Sequence, residues 1–240
     1  MEILSITILT IIAGGVGTLT GFGTSTIMVP VLLLYFPLPQ TLLLVGIIHW
    51  FGDIWKIALF RKGMNWRLIL LFGIPGALFT FFGARLVFSV PETLLSQILG
   101  GFLLAYVTFL FAKPSFKFTQ TPFTAITGGV LSGFFAGIFG VGGAIRGAFL
   151  SVFDLKKAVY ISIAGAIGLA IDTARIATYV SSGAMLPNQL WRGLLVFIPA
   201  SLLGAQLAKK IVDTIPQENF RTVVAVFLLI VGVKLLFFST

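Results

Sequence analysis

The 240-residue chain has no cysteine, a single histidine and only seven acidic residues. The absence of cysteine excludes disulfides, thiolate metal sites and cysteine nucleophiles. One histidine without a second cannot form the usual histidine-based zinc site, so no metal is expected. Charge of either sign is scarce, at 10% of residues against about 25% in an ordinary soluble domain. Apolar residues fill 58% of the chain, 25 of them Phe, and the mean hydropathy is +1.10. A water-soluble fold of this size could not hide so much apolar surface. A soluble enzyme, a nucleic-acid-binding domain and a disordered chain are therefore excluded, and an integral membrane protein of the all-α class remains.

The net charge of +9 has a topological reading. In a soluble protein it would point to nucleic acid, but in a membrane protein basic residues collect in cytoplasmic loops. Arg61, Lys62, Arg67, Lys113, Lys117, Lys156, Lys157, Lys209 and Lys210 all fall in or beside predicted loops. Lys56, Arg146 and Arg175 remain as basic residues at membrane depth. The expected partners are thus the lipid bilayer and a small anionic substrate, with no nucleic acid and no cofactor. The start, Met1-Glu2-Ile3, is acidic and runs into an unbroken apolar stretch, which reads as a first membrane segment rather than a cleaved signal.

A membrane helix needs roughly 20 apolar residues. Six stretches qualify plainly: Leu38–Phe60, Trp66–Phe88, Thr93–Phe111, Lys157–Val180, Gln189–Ile211 and Asn219–Phe237. Two longer ones, Ile3–Phe36 and Thr121–Phe153, are broken near the middle by glycines. The breaks read Gly21-Phe22-Gly23-Thr24-Ser25-Thr26 and Gly140-Val141-Gly142-Gly143-Ala144-Ile145-Arg146-Gly147. Irregular backbone at membrane depth persists only where protein buries it or a cavity adjoins it.

The chain also repeats. Asp53-x-x-Lys56 and Asp172-x-x-Arg175 lie 119 residues apart, and the same shift superposes Gly21 on Gly140 and Gly23 on Gly142. Pro75 and Pro199 match at nearly the same shift. The predicted units are a first repeat over 1–113, a polar linker over 114–122 and a second repeat over 123–240. Basic charge switches sides between corresponding loops: 61–67 carries three basic residues and 181–189 none, while 36–40 is uncharged and its counterpart holds Lys156 and Lys157. By the positive-inside rule the repeats are inverted. Inversion requires an odd number of crossings per repeat, so each glycine-broken stretch is expected to be a hairpin followed by three spans. Both termini then lie outside the cytoplasm of a cell (inner or plasma) membrane.

Two readings attach to the glycines. Gly17/Gly21 and Gly129/Gly133/Gly137 have the four-residue spacing of close helix packing. The breaks themselves would expose backbone N–H groups at half-helix starts, where anions bind. Gly21, Gly23, Thr24, Ser25, Thr26, Gly140, Gly142 and Gly143 are the backbone candidates. Arg146, inside the second break, is the strongest side-chain candidate, because a guanidinium within the membrane is costly and can bind oxyanions in a bidentate way. Its counterpart at the 119 shift is Ile27. Lys56 and Arg175 are further candidates, each one turn from an Asp; either they form structural ion pairs or they face an anion path. His49, one turn before Asp53, is grouped with Asp53 and Asp172 for proton coupling or charge pairing. Ser25 with His49 is the one hint of an intramembrane enzyme, and an anion channel is a further alternative. No catalytic residue is assigned.

The segment from Gly17 to Pro30 (GTLTGFGTSTIMVP) resembles the first-repeat signature of the sulfite exporter TauE/SafE-like membrane transporter family. Gly133-Phe134-Phe135-Ala136-Gly137-Ile138-Phe139-Gly140-Val141-Gly142-Gly143 resembles its second. The resemblance implies secondary transport of sulfite, sulfonates or related organic anions, and the inverted repeats imply alternating access. Thr24-Ser25-Thr26 stands where the family commonly has a glycine run, and Arg146-Gly147-Ala148-Phe149 where an apolar run ending in Pro is common, which makes this pocket more polar and more basic.

Overall fold

The computed structural model describes residues 3–60, 63–112 and 119–211, with residues 229, 233, 236 and 237. Among them every regular element is helical. The helices are α1 (Ile3–Thr20), α2 (Ser25–Leu32), α3 (Leu38–Leu59), α4 (Trp66–Leu86), α5 (Glu92–Ala112), α6 (Pro122–Phe139), α7 (Gly142–Leu150), α8 (Lys157–Ser181) and α9 (Asn188–Ile211). Among the described residues seven of these, all but α2 and α7, are long and apolar enough to cross a membrane. The predicted span Asn219–Phe237 lies almost wholly outside the described residues.

Local chemistry sets the helix ends. Pro37 and Pro39 open α3, where a missing N–H costs nothing. Asn65 caps α4 by accepting from the Leu68 N–H at 3.1 Å, and Thr121 caps α6 by accepting from Thr124. The cap at Thr121 makes Pro122 the first helical residue, so the expected linker gives way to helix at its final position. Glu92, in the first turn of α5, accepts from the Leu38 N–H and caps α3 from outside. Trp66 and Trp191 sit exposed near helix starts, as interfacial residues do.

Both broken stretches double back. In the first, Thr10 of α1 reaches Met28 of α2, and the Gly23 N–H donates to the Gly17 carbonyl at 3.2 Å. In the second, Gly128 lies against Phe149, and Gln120, before α6, donates to the carbonyl of Val152, after α7. The two ends of that stretch therefore lie together, as a hairpin requires.

The glycines at four-residue spacing form seams. Gly129 sits on the Phe72 carbonyl, Gly133 on Gly76 and Gly137 on the Thr80 carbonyl, so α4 and α6 run parallel with backbones in contact. Thr80 Oγ1 closes the seam on the Gly133 carbonyl at 2.7 Å. A similar contact joins α1 to α9, where Gly204 meets the Ile11 carbonyl and the Gly15 amide. In lipid, where apolar burial gives helices little mutual attraction, such close approach supplies the dispersion and hydrogen bonding that hold them.

A side chain in the α4–α6 seam should part these helices. Gly133→Leu is expected to cost about 3 kcal/mol or more, since its Cβ would overlap the Gly76 backbone. Gly101→Ala, with nothing within 4 Å of the new methyl, should be neutral or slightly stabilising. Thermal unfolding of the purified protein in detergent reads both.

Candidate functional site

The site grows from the two breaks and one helix crossing. At the first break Gly21 (φ +72°) and Gly23 (φ +81°) adopt the left-handed conformation that ends α1 and redirects the chain into α2. At the second, Gly140 (φ +71°) does the same after α6, with its N–H on the Ala136 carbonyl at 2.9 Å. The breaks meet: the Cα of Gly143 lies against the Phe22 carbonyl so closely that no side chain could replace its hydrogen.

Beside them α3 and α8 cross. Gly46 lies against Arg175 and Ile176, His49 against Asp172, Asp53 against Gly168 and Lys56 against Gly165. Rising numbers on α3 thus meet falling numbers on α8, and the two helices run antiparallel. Trp50 Nε1 donates to Thr173 Oγ1 at 2.8 Å on the same crossing, while Trp55 Nε1 reaches Ser201 of α9 at 3.1 Å.

The crossing buries His49, Asp53, Lys56, Asp172 and Arg175, each no more than 3% exposed, and α7 adds Arg146 at 1%. Lys56 Nζ donates to Asp53 Oδ1 at 2.8 Å. Arg175 Nε stands 2.8 Å from Asp172 Oδ1, but its N–H is not aimed along that line, so the contact is an ion pair rather than a hydrogen bond. Arg175 Nη2 donates to Ser25 Oγ at 3.2 Å. His49 Nδ1 is 2.5 Å from Asp172 Oδ2 and 3.8 Å from Asp53 Oδ2, which binds one helix's charges to the other's. Nδ1 carries the hydrogen here, because a carboxylate can only accept from it.

Arg146 differs from the other two cations. It forms no ion pair and no hydrogen bond among the described residues, and its Nε and Nη2 donors are buried without partners. These two N–H groups form the bidentate edge of a guanidinium, the edge that matches two oxygens of one anion. Asp53 Oδ2 fills the space that a side chain at Gly168 would take, and Arg146 Nη1 lies beside that space. Lys56, Arg146 and Arg175 against Asp53 and Asp172 leave the buried cluster one positive charge in surplus, with His49 neutral.

The candidate residues separate accordingly. Gly23, Ser25, Lys56, Arg146, Arg175, His49, Asp53 and Asp172 converge. Thr24, beside Gly52, presents a buried hydroxyl without a partner, and Gly140 flanks Arg175 Nη1. Three others have local occupations. Thr26 Oγ1 donates to the Phe22 carbonyl at 2.8 Å. The ring of Tyr160 covers Gly21, and Gly142 packs on the Ser132 carbonyl and Ala136 of α6. Ser25 pairs with Arg175 and not with His49, so the geometry offers no serine–histidine couple.

His49 is less isolated than the sequence implies, since two carboxylates from different helices converge on it. The three groups have ligand atoms within 4.8 Å of one another. Their outer oxygens are held by Lys56 and Arg175 and Arg146 stands beside them, so the local charge opposes a metal cation.

Sequence reading missed Gly168, Tyr160 and Tyr179. Gly168 is the repeat counterpart of His49, and its missing side chain is what admits Asp53 and Arg146. Tyr179 is buried, with its hydroxyl donating to the Gly137 carbonyl at 2.5 Å, and so caps α6 just before the second break. No sequence signal marked Tyr160 or Tyr179, whereas a glycine standing where the other repeat has its histidine does mark Gly168.

Along 94% of its length the chain is 27% identical to a curated protein of the archaeon Methanocaldococcus jannaschii named "probable membrane transporter protein", 92% of which is covered. The family model described as sulfite exporter TauE/SafE matches residues 6–235. With that match spanning nearly the whole chain, this multi-pass membrane protein belongs to the sulfite exporter TauE/SafE family.

Proposed function

We propose that the protein is a secondary transporter that moves a small oxyanion, such as sulfite, a sulfonate or a related organic anion, by alternating access. The observation that carries this reading is Arg146: a buried guanidinium that forms no ion pair among the described residues, and whose Nε and Nη2 have no hydrogen-bond partner among them. An uncompensated buried charge costs several kcal/mol, and an anion bound on that edge would relieve the cost. Two oxygens of the anion accept from Nε and Nη2 of Arg146. Arg175 and Lys56 add positive charge from the crossing, and Asp53 and Asp172 hold those two in place.

Burial of all six groups of the cluster favours a carrier caught between openings over a channel, whose pore would leave them wetted. The antiparallel crossing of α3 and α8 supports inverted repeats, because Asp53 and Asp172 correspond at the 119 shift. The glycine seams qualify how such repeats move. Each ties a hairpin to a helix of the other half, α6 to α4 and α1 to α9. The moving bodies are therefore bundles drawn from both halves, parting along α3 against α8 and Gly143 against Phe22.

Two measurements test the reading. In proteoliposomes Arg146→Ala should abolish uptake of labelled sulfite, sulfonates and carboxylates while the protein remains monodisperse. Arg146→Lys keeps the charge without the fork and should weaken binding roughly 10- to 100-fold, as expected for losing a charged hydrogen bond. Wild-type flux in Arg146→Ala would remove the site. For topology, the native absence of cysteine allows single labels. Met185→Cys should react with an impermeant thiol reagent from outside intact cells, and Met64→Cys only after permeabilisation. Labelling of both from one side would contradict inversion.

A further inference from the structure

The surplus charge of the cluster depends on one group, His49, and that group has an unused atom. Nδ1 is committed to Asp172. Nε2 is buried and has no hydrogen-bond partner among the described residues. It points at the left-handed Gly23 of the first break, where a Cβ would fall on Nε2 itself. The buried Thr24 hydroxyl, also without a partner, follows Gly23 in the chain. Nε2 therefore faces the same break that supplies backbone to the anion site.

The surroundings define what a proton on Nε2 would meet. From α3 itself come Asp53 and, behind it, Lys56. From α8 come Asp172 and Arg175, and from α7 Arg146, whose Nη1 lies at Gly168 opposite Asp53. The α2 side contributes Thr24 and Ser25, neither charged. α1 carries no charged residue, and the charges of α9 (Arg192, Lys209 and Lys210) lie toward its ends, while Ser201 is what meets α3. With His49 neutral the cluster has one positive charge in surplus, which one negative charge on a ligand cancels. With His49 as imidazolium the surplus is two, which suits a ligand bearing two.

Resting on the transport reading above, we propose that His49 makes the site select a diprotic oxyanion together with one proton. The proton resides either on the ligand, whose O–H then donates to neutral Nε2, or on Nε2, whose N–H then donates to the fully ionised ligand. Both arrangements hold the same atoms and the same net charge, so the buried cluster is neutralised whichever way the proton lies. Imidazole is the side chain suited to this exchange, because one ring nitrogen can donate to Asp172 while the other either accepts a hydrogen bond or donates one. A permanent monoanion such as a sulfonate has no such proton to share and leaves Nε2 without a donor. The repeat counterpart of His49 is Gly168, so only one half of the molecule carries the device.

The test is calorimetric titration of the purified full-length chain with sulfite, in two buffers of different ionisation enthalpy, at a pH where free sulfite is the dianion. Methanesulfonate is the monoanionic comparison. The wild-type protein should take up about one proton per sulfite bound and none per methanesulfonate. His49→Asn keeps an amide N–H near the place of Nδ1 for Asp172 but removes Nε2. It should lose the proton uptake and bind sulfite at least about tenfold more weakly. The wild-type proton count stands even if the variant folds poorly, and His49→Gln provides a second substitution. Sulfite binding without proton uptake, or undiminished uptake in His49→Asn, overturns the role of His49. If both anions then still need Arg146, the transport site survives that result. If neither anion binds the wild-type protein, the transport site and the inference fall together.

Discussion

Lys56, Asp53, His49, Asp172, Arg175 and Arg146 are buried together where α3 crosses α8 beneath the two hairpin tips. In a chain so poor in charge and surrounded by lipid, none of them is tolerable singly, and the rest of the structure can be traced from that constraint. The ion pairs within each helix join acid to base at i, i+3. His49 then joins the helices to each other. Removing one partner from such a set leaves a buried charge uncompensated, a loss of about 3–5 kcal/mol. The cluster is therefore a structural clasp as well as a candidate binding site. The clasp does not satisfy Arg146, and that remaining guanidinium edge gives the site its chemistry.

The surrounding fold delivers backbone and cation to this point. The breaks at Gly21–Thr24 and Gly140–Val141 turn each hairpin back, and the glycine seams keep those hairpins pressed on α4 and α9. Tyr179 ties off the end of α6 from α8. Tyr160, also from α8, covers Gly21 at the first hairpin tip. α8 thus serves three purposes: it carries half of the clasp, caps one hairpin and covers the other.

Much of this was legible in the sequence because lipid simplifies the code. Span lengths follow from apolar runs, and α3, α4, α5, α8 and α9 begin and end within a few residues of where those runs do. Charges at membrane depth were few enough to name individually, and all six of the depth candidates proved to share one cluster. The matched glycine breaks were legible as reversals, because basic charge that switches sides between the repeats requires an odd number of crossings in each. What could not be read was the division of labour among close neighbours in sequence. Gly23 faces His49 while Gly21 lies under a tyrosine, and Ser25 meets Arg175 while Thr26 closes its own turn. One or two positions along the break and the first turn of α2 separate these outcomes, and packing against another element decides them. The partners of His49 were hidden for the same reason: Asp172 is 123 positions away and comes near only through the antiparallel crossing.

The central claim is that the Nε–Nη2 edge of Arg146 is where the transported anion rests. A structure of the protein with bound selenite, located by the anomalous signal of selenium, tests it most directly. The account predicts one occupied position, with two oxygens on Nε and Nη2 of Arg146 and the anion bounded by Gly23 and His49. Selenium found only at the membrane surface, or Arg146 paired to a carboxylate with the anion held elsewhere, would contradict it.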